Sequence, residues 1–303
     1  GYALPELLAL HGARDPILVQ AAEKTDRELL RQLDGALKPV PLGSGEWVDH
    51  RVFRPLGLER DYGAVYVANY NSVKRVPAFL RVVARIVSQG VPFKAALVCS
   101  RWGRGRRVVQ AFVRWYGLAE HVDVYESIEH DGVNVVLNRA RCGVLMSRKE
   151  GSNRSLFEGM HADTPGVLLD ENVGVNQERL TPRSGVVASE GEFPGLLAEI
   201  SSGARTFSAR RWALETIAPE VSARTVEREL ARLFPEDVGA PPLFVKVNVP
   251  EVQYFEEGIR EVQKPIATEV LELMSNDRDD PGWAEVLRCV APLSGSPPDV
   301  SDR

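Results

Sequence analysis

Short apolar runs rich in valine alternate with longer segments of helical periodicity between about Asp61 and Gly203. This alternation is typical of βαβ units, in which parallel strands are joined by helical crossovers. Runs such as Val167-Leu168-Leu169 are apolar at every position, as in strands that helices cover on both faces. Strands are predicted at 64–69, 94–100, 122–125, 143–147, 166–170 and 185–189, and helices at 74–88, 106–116, 131–141, 155–161 and 193–202. The pattern predicts an α/β fold with a Rossmann-like doubly wound parallel sheet, which binds ligands beyond the carboxyl ends of its strands.

The segments on either side of this region are shorter and less regular. The upstream part is predicted to hold a strand at 16–20, a helix at 24–33 and a linker rich in proline and glycine at 39–55. The downstream part is predicted to hold helices at 209–218 and 221–233, a break at 239–242, a strand at 243–249, a helix at 265–274 and a disordered tail at 293–303. We therefore expect three parts: residues 1–54 as the remnant of an N-terminal α/β unit plus linker, 55–238 as the main domain with closing helices, and 239–303 as a C-terminal extension.

Composition narrows the classes of function. The 37 basic and 42 acidic residues are intermixed and sum to a net charge of -5, which disfavours a nucleic-acid partner. The three cysteines, Cys99, Cys142 and Cys289, fit neither a disulfide framework nor a zinc site. No apolar stretch approaches the roughly 20 residues that span a bilayer, and the first residues do not resemble a signal peptide. A cytoplasmic location is the expectation.

The segment from Leu145 to Met160 carries the most informative chemistry. A predicted strand ends at Ser147, a polar loop with Gly151 follows, and a helix begins near 152–155. Free N–H groups and the positive end of the dipole at such a helix start suit phosphate oxygens. Glu150 in the loop and Glu158 on the helix would face the same crevice, where carboxylates can accept hydrogen bonds from vicinal hydroxyls.

Each glutamate also has a simpler interpretation. Ser155 and Glu158 match a capping box, in which the glutamate accepts a hydrogen bond from an N–H at the start of its own helix. Glu150 alone fits a solvated loop residue. A binding role for the two glutamates is therefore supported mainly by the sequence around them.

That context resembles a known family. Glu150 and Glu158, followed by Gly159-Met160, Pro165-Gly166-Val167 and 170–174, are similar to the E-x7-E signature of retaining GT-B glycosyltransferases of the glycosyltransferase 4 (group 1) family, mainly their C-terminal donor-binding domain. Other elements agree with this family: a linker with Val48-Asp49 and Phe53-Arg54-Pro55, a lysine at position 74, a short strand at 184–187 and closing helices at 208–233. The resemblance covers about residues 16–234.

The resemblance implies roles for single residues. Glu150 would contact the transferred sugar as the catalytic candidate, Glu158 would hold the ribose hydroxyls, and Lys74 would neutralise the leaving diphosphate. The loop residues Gly151, Ser152 and Asn153 would also bind the donor. Asn69 stands where the family usually has an arginine. Arg75, or Arg101 in the loop 100–105, is the candidate for the missing charge, although a solvated basic loop is the simpler explanation of any one of these arginines.

The implied function is that of a retaining hexosyltransferase-type enzyme, which transfers a sugar from a nucleotide sugar to a glycan, lipid or small-molecule acceptor. The resemblance implies no cofactor and no metal requirement, and it leaves peripheral membrane association open. Only about 50 residues precede the donor domain, so the N-terminal GT-B domain would be largely absent, and the chain alone would transfer the sugar very slowly or not at all. The alternatives are a non-catalytic nucleotide-sugar-binding or interaction module, and a phosphorylase-like or synthase relative.

Overall fold

A parallel sheet is the centre of the computed structural model, which describes residues 10–33, 35–100, 106–174, 177–235, 246–248 and 252–254. Its six strands are β3 Ala64–Asn69, β4 Ala95–Ser100, β5 Val122–Glu126, β6 Gly143–Leu145, β7 Gly166–Leu169 and β8 Gly185–Ala188. Their order in the sheet is β5-β4-β3-β6-β7-β8, and every neighbouring pair is parallel. The chain builds outward from β3 to β5, then returns to the other side of β3. The topological switch point therefore lies between β3 and β6.

Helices cover both faces of this sheet. They are α2 Val76–Ser88, α3 Arg106–Trp115, α4 His130–Asn138, α5 Arg154–His161, α6 Phe193–Ser201, α7 Ala209–Thr216 and α8 Pro219–Leu233. Helix α2 packs against α3 and α6, whereas α5 packs against α4 and α7. The core lies between these two groups, where β-strand side chains such as Leu97 and Leu168 and helix side chains such as Phe79 and Phe157 are fully buried. This doubly wound architecture confirms the predicted fold class.

The predicted helix at 74–88 begins two residues later in the structure. Residues Ser72–Lys74 form a 3-10 turn, and Arg75 then adopts a left-handed conformation with φ of 52° before α2 starts at Val76. Pro77 favours a start at this point because its ring fixes φ and it lacks an N–H that the first turn would leave unpaired. The consequence is that Lys74 lies on the loop above β3 and not on the helix.

A small second sheet precedes the main one. Strand β1 Ile17–Gln20 pairs in parallel with β2 Leu37–Val40, and α1 Lys24–Leu33 connects them. The sequence pattern missed β2, which falls in a region predicted to run into the linker. Pro39 in β2 lacks an N–H, and a two-stranded sheet tolerates it because each strand is an edge.

The linker between the two sheets is fixed on the main domain. Val48 and Phe53 are buried in the core of that domain. Glu46 is 1% exposed, and its Oε1 lies 2.8 Å from Nε of Arg179. Ser222 on α8 donates a hydrogen bond to the carbonyl oxygen of Glu46. The closing helices and the linker therefore hold each other in place.

The described part of the C-terminal region is a pair of antiparallel strands. Strand β9 Lys246–Asn248 lies within the predicted strand at 243–249, and it pairs with β10 Val252–Tyr254, which was not predicted. The predicted helix at 265–274 and the predicted tail at 293–303 lie outside the described residues. Within the residues that the structure covers, no helix has both the length and the apolar character needed to cross a bilayer.

Candidate active site at the switch point

An ion pair spans the crevice between the loops that follow β3 and β6. Nζ of Lys74, on the first loop, lies 2.5 Å from Oε1 of Glu150, on the second. Both side chains are mostly buried, with 17% of the lysine and 13% of the glutamate exposed. In doubly wound sheets ligands bind at the switch point, beyond the carboxyl ends of the strands. The structure thus brings together two residues that the sequence singled out separately.

The loop after β3 fixes the position of Lys74 through its own polar groups. Oδ1 of Asn69 accepts a hydrogen bond from the backbone N–H of Asn71, and Oδ1 of Asn71 accepts one from the N–H of Val73. The hydroxyl of buried Tyr66 donates to the carbonyl oxygen of Lys74 at 2.5 Å. Asn69, which stands where the resembling family has an arginine, therefore shapes the loop.

The loop after β6 is held by the segment that follows β7. Nδ2 of buried Asn172 donates to the carbonyl oxygen of Ser147 at 2.7 Å, and the N–H of Glu150 donates to the carbonyl oxygen of Val173 at 3.0 Å. Gly174 has φ of 140°, and a Cβ at this position would lie 1.6 Å from the carbonyl oxygen of Glu150. Only glycine fits there, because any side chain would collide with backbone.

Gly174→Ala is expected to lower the affinity of the crevice for its ligand at least tenfold and to destabilise the protein by about 1–3 kcal/mol, the usual size of backbone strain at such a position. The new Cβ would push the backbone of Glu150 away and move its carboxylate from Lys74. Calorimetric titration and urea unfolding measure the two effects. The matched control is Gly191→Ala, because a Cβ at Gly191 meets nothing within 4 Å. Unchanged affinity in Gly174→Ala would show that the position of Glu150 does not matter for binding.

Arg75 forms a second link across the same crevice. Its Nη1 donates to the carbonyl oxygen of Met146 at the end of β6, and its Nη2 lies 2.6 Å from Oε2 of Glu190. Glu190 also pairs with Arg81, and these arginines hold the pKa of the Glu190 carboxyl below its usual value. Sequence reasoning missed Glu190, although its position directly after β8 was a usable signal. The other candidate cation, Arg101, lies outside the described residues.

Glu158 lies on the second turn of α5 and is 5% exposed. Its Oε1 accepts a hydrogen bond from Nε of Arg154, one turn earlier, at 2.9 Å. Burial raises the pKa of Glu158 from its ordinary value of 4.5 to about 6, and the charge of Arg154 opposes this rise. Sequence reasoning missed Arg154, although its spacing of four residues from Glu158 is the usual one for a helical ion pair.

The capping-box interpretation of Glu158 is wrong. The N-cap of α5 is Asn153, whose Oδ1 accepts hydrogen bonds from the N–H of Leu156 and from the hydroxyl of Ser155. Ser155 is therefore inside the helix, and the carboxylate of Glu158 pairs with a side chain and not with the first N–H groups. A buried carboxylate without a capping role needs another explanation.

The remaining predicted loop residues have mixed environments. Gly151 is exposed. Oγ of Ser152 accepts a hydrogen bond from the N–H of Gly45 at 2.9 Å, and the carbonyl oxygen of Ser152 accepts one from the hydroxyl of Ser44. Ser152 therefore ties the loop to the linker, while Asn153 caps α5. These two predicted donor-binding residues shape the crevice.

A cleft with a volume of about 720 Å³ opens beside the loop that carries Lys74. It is bounded by the beginning of α2 and by α3, with a mixed lining: Tyr70, Asn71, Ser72, Arg75, Val76, Pro77, Ala78, Arg81, Val108 and Val109. Apolar walls with a few polar groups are the usual composition of a small-molecule site.

Two histidines near the ends of loops, His130 and His161, do not join this group. His130 begins α4 and packs its ring edge against Phe53. His161 is fully buried in the last turn of α5, where burial lowers the pKa of its imidazole to about 3. Among the residues with assigned positions, no group of three or more histidine, cysteine, aspartate or glutamate side chains could hold a metal ion.

The chain resembles known proteins in part of its sequence and in its fold. Residues 62–202 match the family model described as glycosyl transferases group 1. The chain is similar in structure to sucrose-phosphate synthase from Thermosynechococcus elongatus, with a TM-score of 0.58 and 20% identity over 75% of this chain and 60% of the synthase. A mutant of S. aureus TarM in complex with Fondaparinux, alpha-GlcNAc-glycerol and UDP gives a TM-score of 0.54 and 17% identity over 72% and 43% of the two chains.

A third similar structure is Anabaena Alr3699/HepE in complex with UDP and glucose, with a TM-score of 0.54 and 15% identity over 71% of this chain and 63% of that one. At these identities the likeness concerns the fold. This chain spans 60% of the length of the synthase. A search of curated proteins gives no match. Residues 62–202 are thus similar to the glycosyl transferases group 1 family, and the chain has the Rossmann-like fold of GT-B glycosyltransferases.

Proposed function

We propose that this chain binds a nucleotide sugar at the switch point and takes part in transfer of the sugar to an acceptor with retention of configuration. The observation that carries the proposal is the ion pair of Lys74 and Glu150 across the crevice. The bond to be broken joins a phosphate to a sugar. A cation at this place suits the phosphate, and a carboxylate suits the hydroxyl groups of the sugar. The family match and similar structures determined with UDP support the same class of ligand.

In the absence of a donor, Lys74 and Glu150 neutralise each other's charge. An entering diphosphate would compete with Glu150 for Nζ of Lys74, because phosphate oxygens offer the same charge-assisted hydrogen bonds as the carboxylate. Glu150 would then be released to accept hydrogen bonds from hydroxyl groups of the sugar. Binding of the diphosphate to Lys74 would thereby make the carboxylate of Glu150 available to the sugar.

Glu158 supplies the second carboxylate. Arg154 occupies its Oε1, and within the described part of the chain its Oε2 has no hydrogen-bond partner. A ribose hydroxyl donating to that oxygen would compensate a buried charge that otherwise lacks full solvation. This is the type of contact that fixes the nucleoside beside its diphosphate.

The same groups support the chemistry. Cleavage of the bond between sugar and phosphate builds negative charge on the leaving diphosphate, and a fixed cation in a poorly solvated crevice stabilises that charge. Lys74 takes this role in the proposal, so we propose no metal or other cofactor. We infer a glycan, lipid or small-molecule acceptor, a nucleotide sugar of the hexose type as donor, and a cytoplasmic site of action.

The test is a binding screen of UDP-, GDP- and ADP-sugars by calorimetry, followed by analysis of the products. We expect saturable binding of one nucleotide class, unchanged by EDTA. When an N-terminal GT-B domain and an acceptor are supplied, we expect a glycoside that keeps the anomeric configuration of the donor. Arg211→Gln, a change at an exposed position on α7, is the control for unspecific loss. Saturable binding without any product, even when an N-terminal GT-B domain is supplied, would favour a non-catalytic binding module. Absence of binding to every donor would refute the proposal.

A further inference from the structure

Two neighbouring helices on one face of the sheet carry an unusual distribution of charge. Helices α2 and α3 together contain five arginines, Arg81, Arg85, Arg106, Arg107 and Arg114, and no aspartate or glutamate. Arg81 pairs with Glu190 and Arg106 with Glu126, so the excess positive charge of this face comes from Arg85, Arg107 and Arg114. The whole chain has a net charge of -5, so this face departs from the average of the molecule. Both helices lie on the same side because they pack against each other.

Exposed apolar side chains lie on α3 beside these arginines. Trp115 is 83% exposed and Val108 is 49% exposed. Positions 108, 111 and 115 follow the helical spacing of one face, and Ala111 between them is also exposed. Val109 and the stacked pair Phe112 and Tyr116 occupy the other side, toward the protein.

Arg107 and Arg114 extend this apolar stripe into an amphipathic surface. Both are exposed, and helical geometry places them next to Ala111, on one flank of the stripe. A helix with tryptophan and valine on one strip and arginine along its edge has the chemistry of helices that lie in a membrane interface. Tryptophan prefers the headgroup level of a bilayer, and each arginine near an anionic leaflet adds attraction.

We propose that the exposed face of α3, formed by Val108, Ala111 and Trp115 with Arg107 and Arg114, docks onto an anionic lipid bilayer. A second copy of the chain is a poorer occupant, because two such basic faces would repel each other. Val108 also lines the cleft beside the Lys74 loop. Docking through α3 would therefore place that cleft near the lipid surface.

Sedimentation with vesicles tests this surface in the full chain. We expect binding to vesicles of phosphatidylcholine mixed with phosphatidylglycerol, loss of that binding at high salt, and no binding to phosphatidylcholine alone. Replacing both Arg107 and Arg114 with glutamine should weaken vesicle binding by about tenfold or more, given the usual contribution of a basic residue at an anionic surface. Trp115→Ser should weaken it several-fold. The matched control replaces Arg211 and Arg224, exposed residues of α7 and α8, with glutamine and should keep full binding.

Other outcomes would overturn the proposal. Vesicle binding that is insensitive to all α3 variants would place the contact elsewhere. If the unsubstituted chain does not bind vesicles and Trp115→Ser lowers the melting temperature, the chain itself covers this face. If Trp115→Ser changes the oligomeric state, a second copy covers it. Binding of a DNA duplex in place of vesicles would assign the arginines to nucleic acid. Nucleotide affinity, measured in parallel, should stay unchanged in the α3 variants, so a failure here is distinguishable from a failure of the proposed function.

Discussion

Lys74→Ala is expected to weaken binding of the preferred nucleoside diphosphate by about 10- to 100-fold, the range for lost hydrogen bonds to charged groups. The substitution removes the cation that the diphosphate would contact, and it leaves the largely buried Glu150 without its partner at 2.5 Å. The remaining carboxylate would then repel the diphosphate. The corresponding nucleoside, which has no phosphate, should lose little affinity.

A double-mutant cycle with Glu150→Gln separates the two contributions. If Glu150 repels the diphosphate once Lys74 is gone, the double variant should bind more tightly than Lys74→Ala alone. The matched control is Lys94→Ala. Lys94 lies just before β4, at the opposite end of the sheet, and forms an ion pair with Asp123. Equal losses for nucleoside and nucleoside diphosphate would show that Lys74 has only a structural role.

Glu158→Gln is expected to weaken nucleotide binding by about 1–3 kcal/mol without lowering the free energy of unfolding at pH 7. Glutamine keeps the size of the side chain and an oxygen that can accept from Nε of Arg154, but it loses the charge that the ribose hydroxyls would contact. It also removes the cost of burying a carboxylate that is 5% exposed. Calorimetry and urea unfolding measure the two quantities, with Glu199→Gln on α6, a half-exposed carboxylate, as the control.

The pH dependence of nucleotide binding distinguishes a binding role of Glu158 from a purely structural role. Because the folded protein holds the proton of Glu158 up to about pH 6, and the unfolded chain only up to about 4.5, this group makes folding less favourable as pH rises from 4.5 to 6. Above pH 6 that cost is fully present, at about 2 kcal/mol for a shift of this size. Nucleotide binding should instead weaken as pH falls through 6. Glu158→Gln should abolish both trends, and a binding profile that stays flat between pH 5 and 7 in the unsubstituted protein would contradict the role of the carboxylate.

Local pattern determined most of the architecture. Strand β3 and helix α1 occupy the predicted residues, because the continuous apolar run at 64–68 and a clear helical period at 24–33 are properties of the sequence itself. The positions directly after β3 and β6 were predictable as site positions for the same reason. Strand β2 was missed because its short run with Pro39 has no distinctive local period and becomes a strand only by pairing with β1.

The arrangement within the site required the tertiary structure. Sequence alone made Ser155 and Glu158 a reasonable capping box, but Asn153 caps the helix because packing sets where α5 begins. The contact of Lys74 with Glu150 joins residues 76 positions apart, and it depends on the strand order that places β6 beside β3. The raised pKa of Glu158 arises from burial, which is a property of the folded chain. Local pattern thus determined which side chains are available at the carboxyl ends of the strands, while strand order and burial decided which of them meet and with what charge.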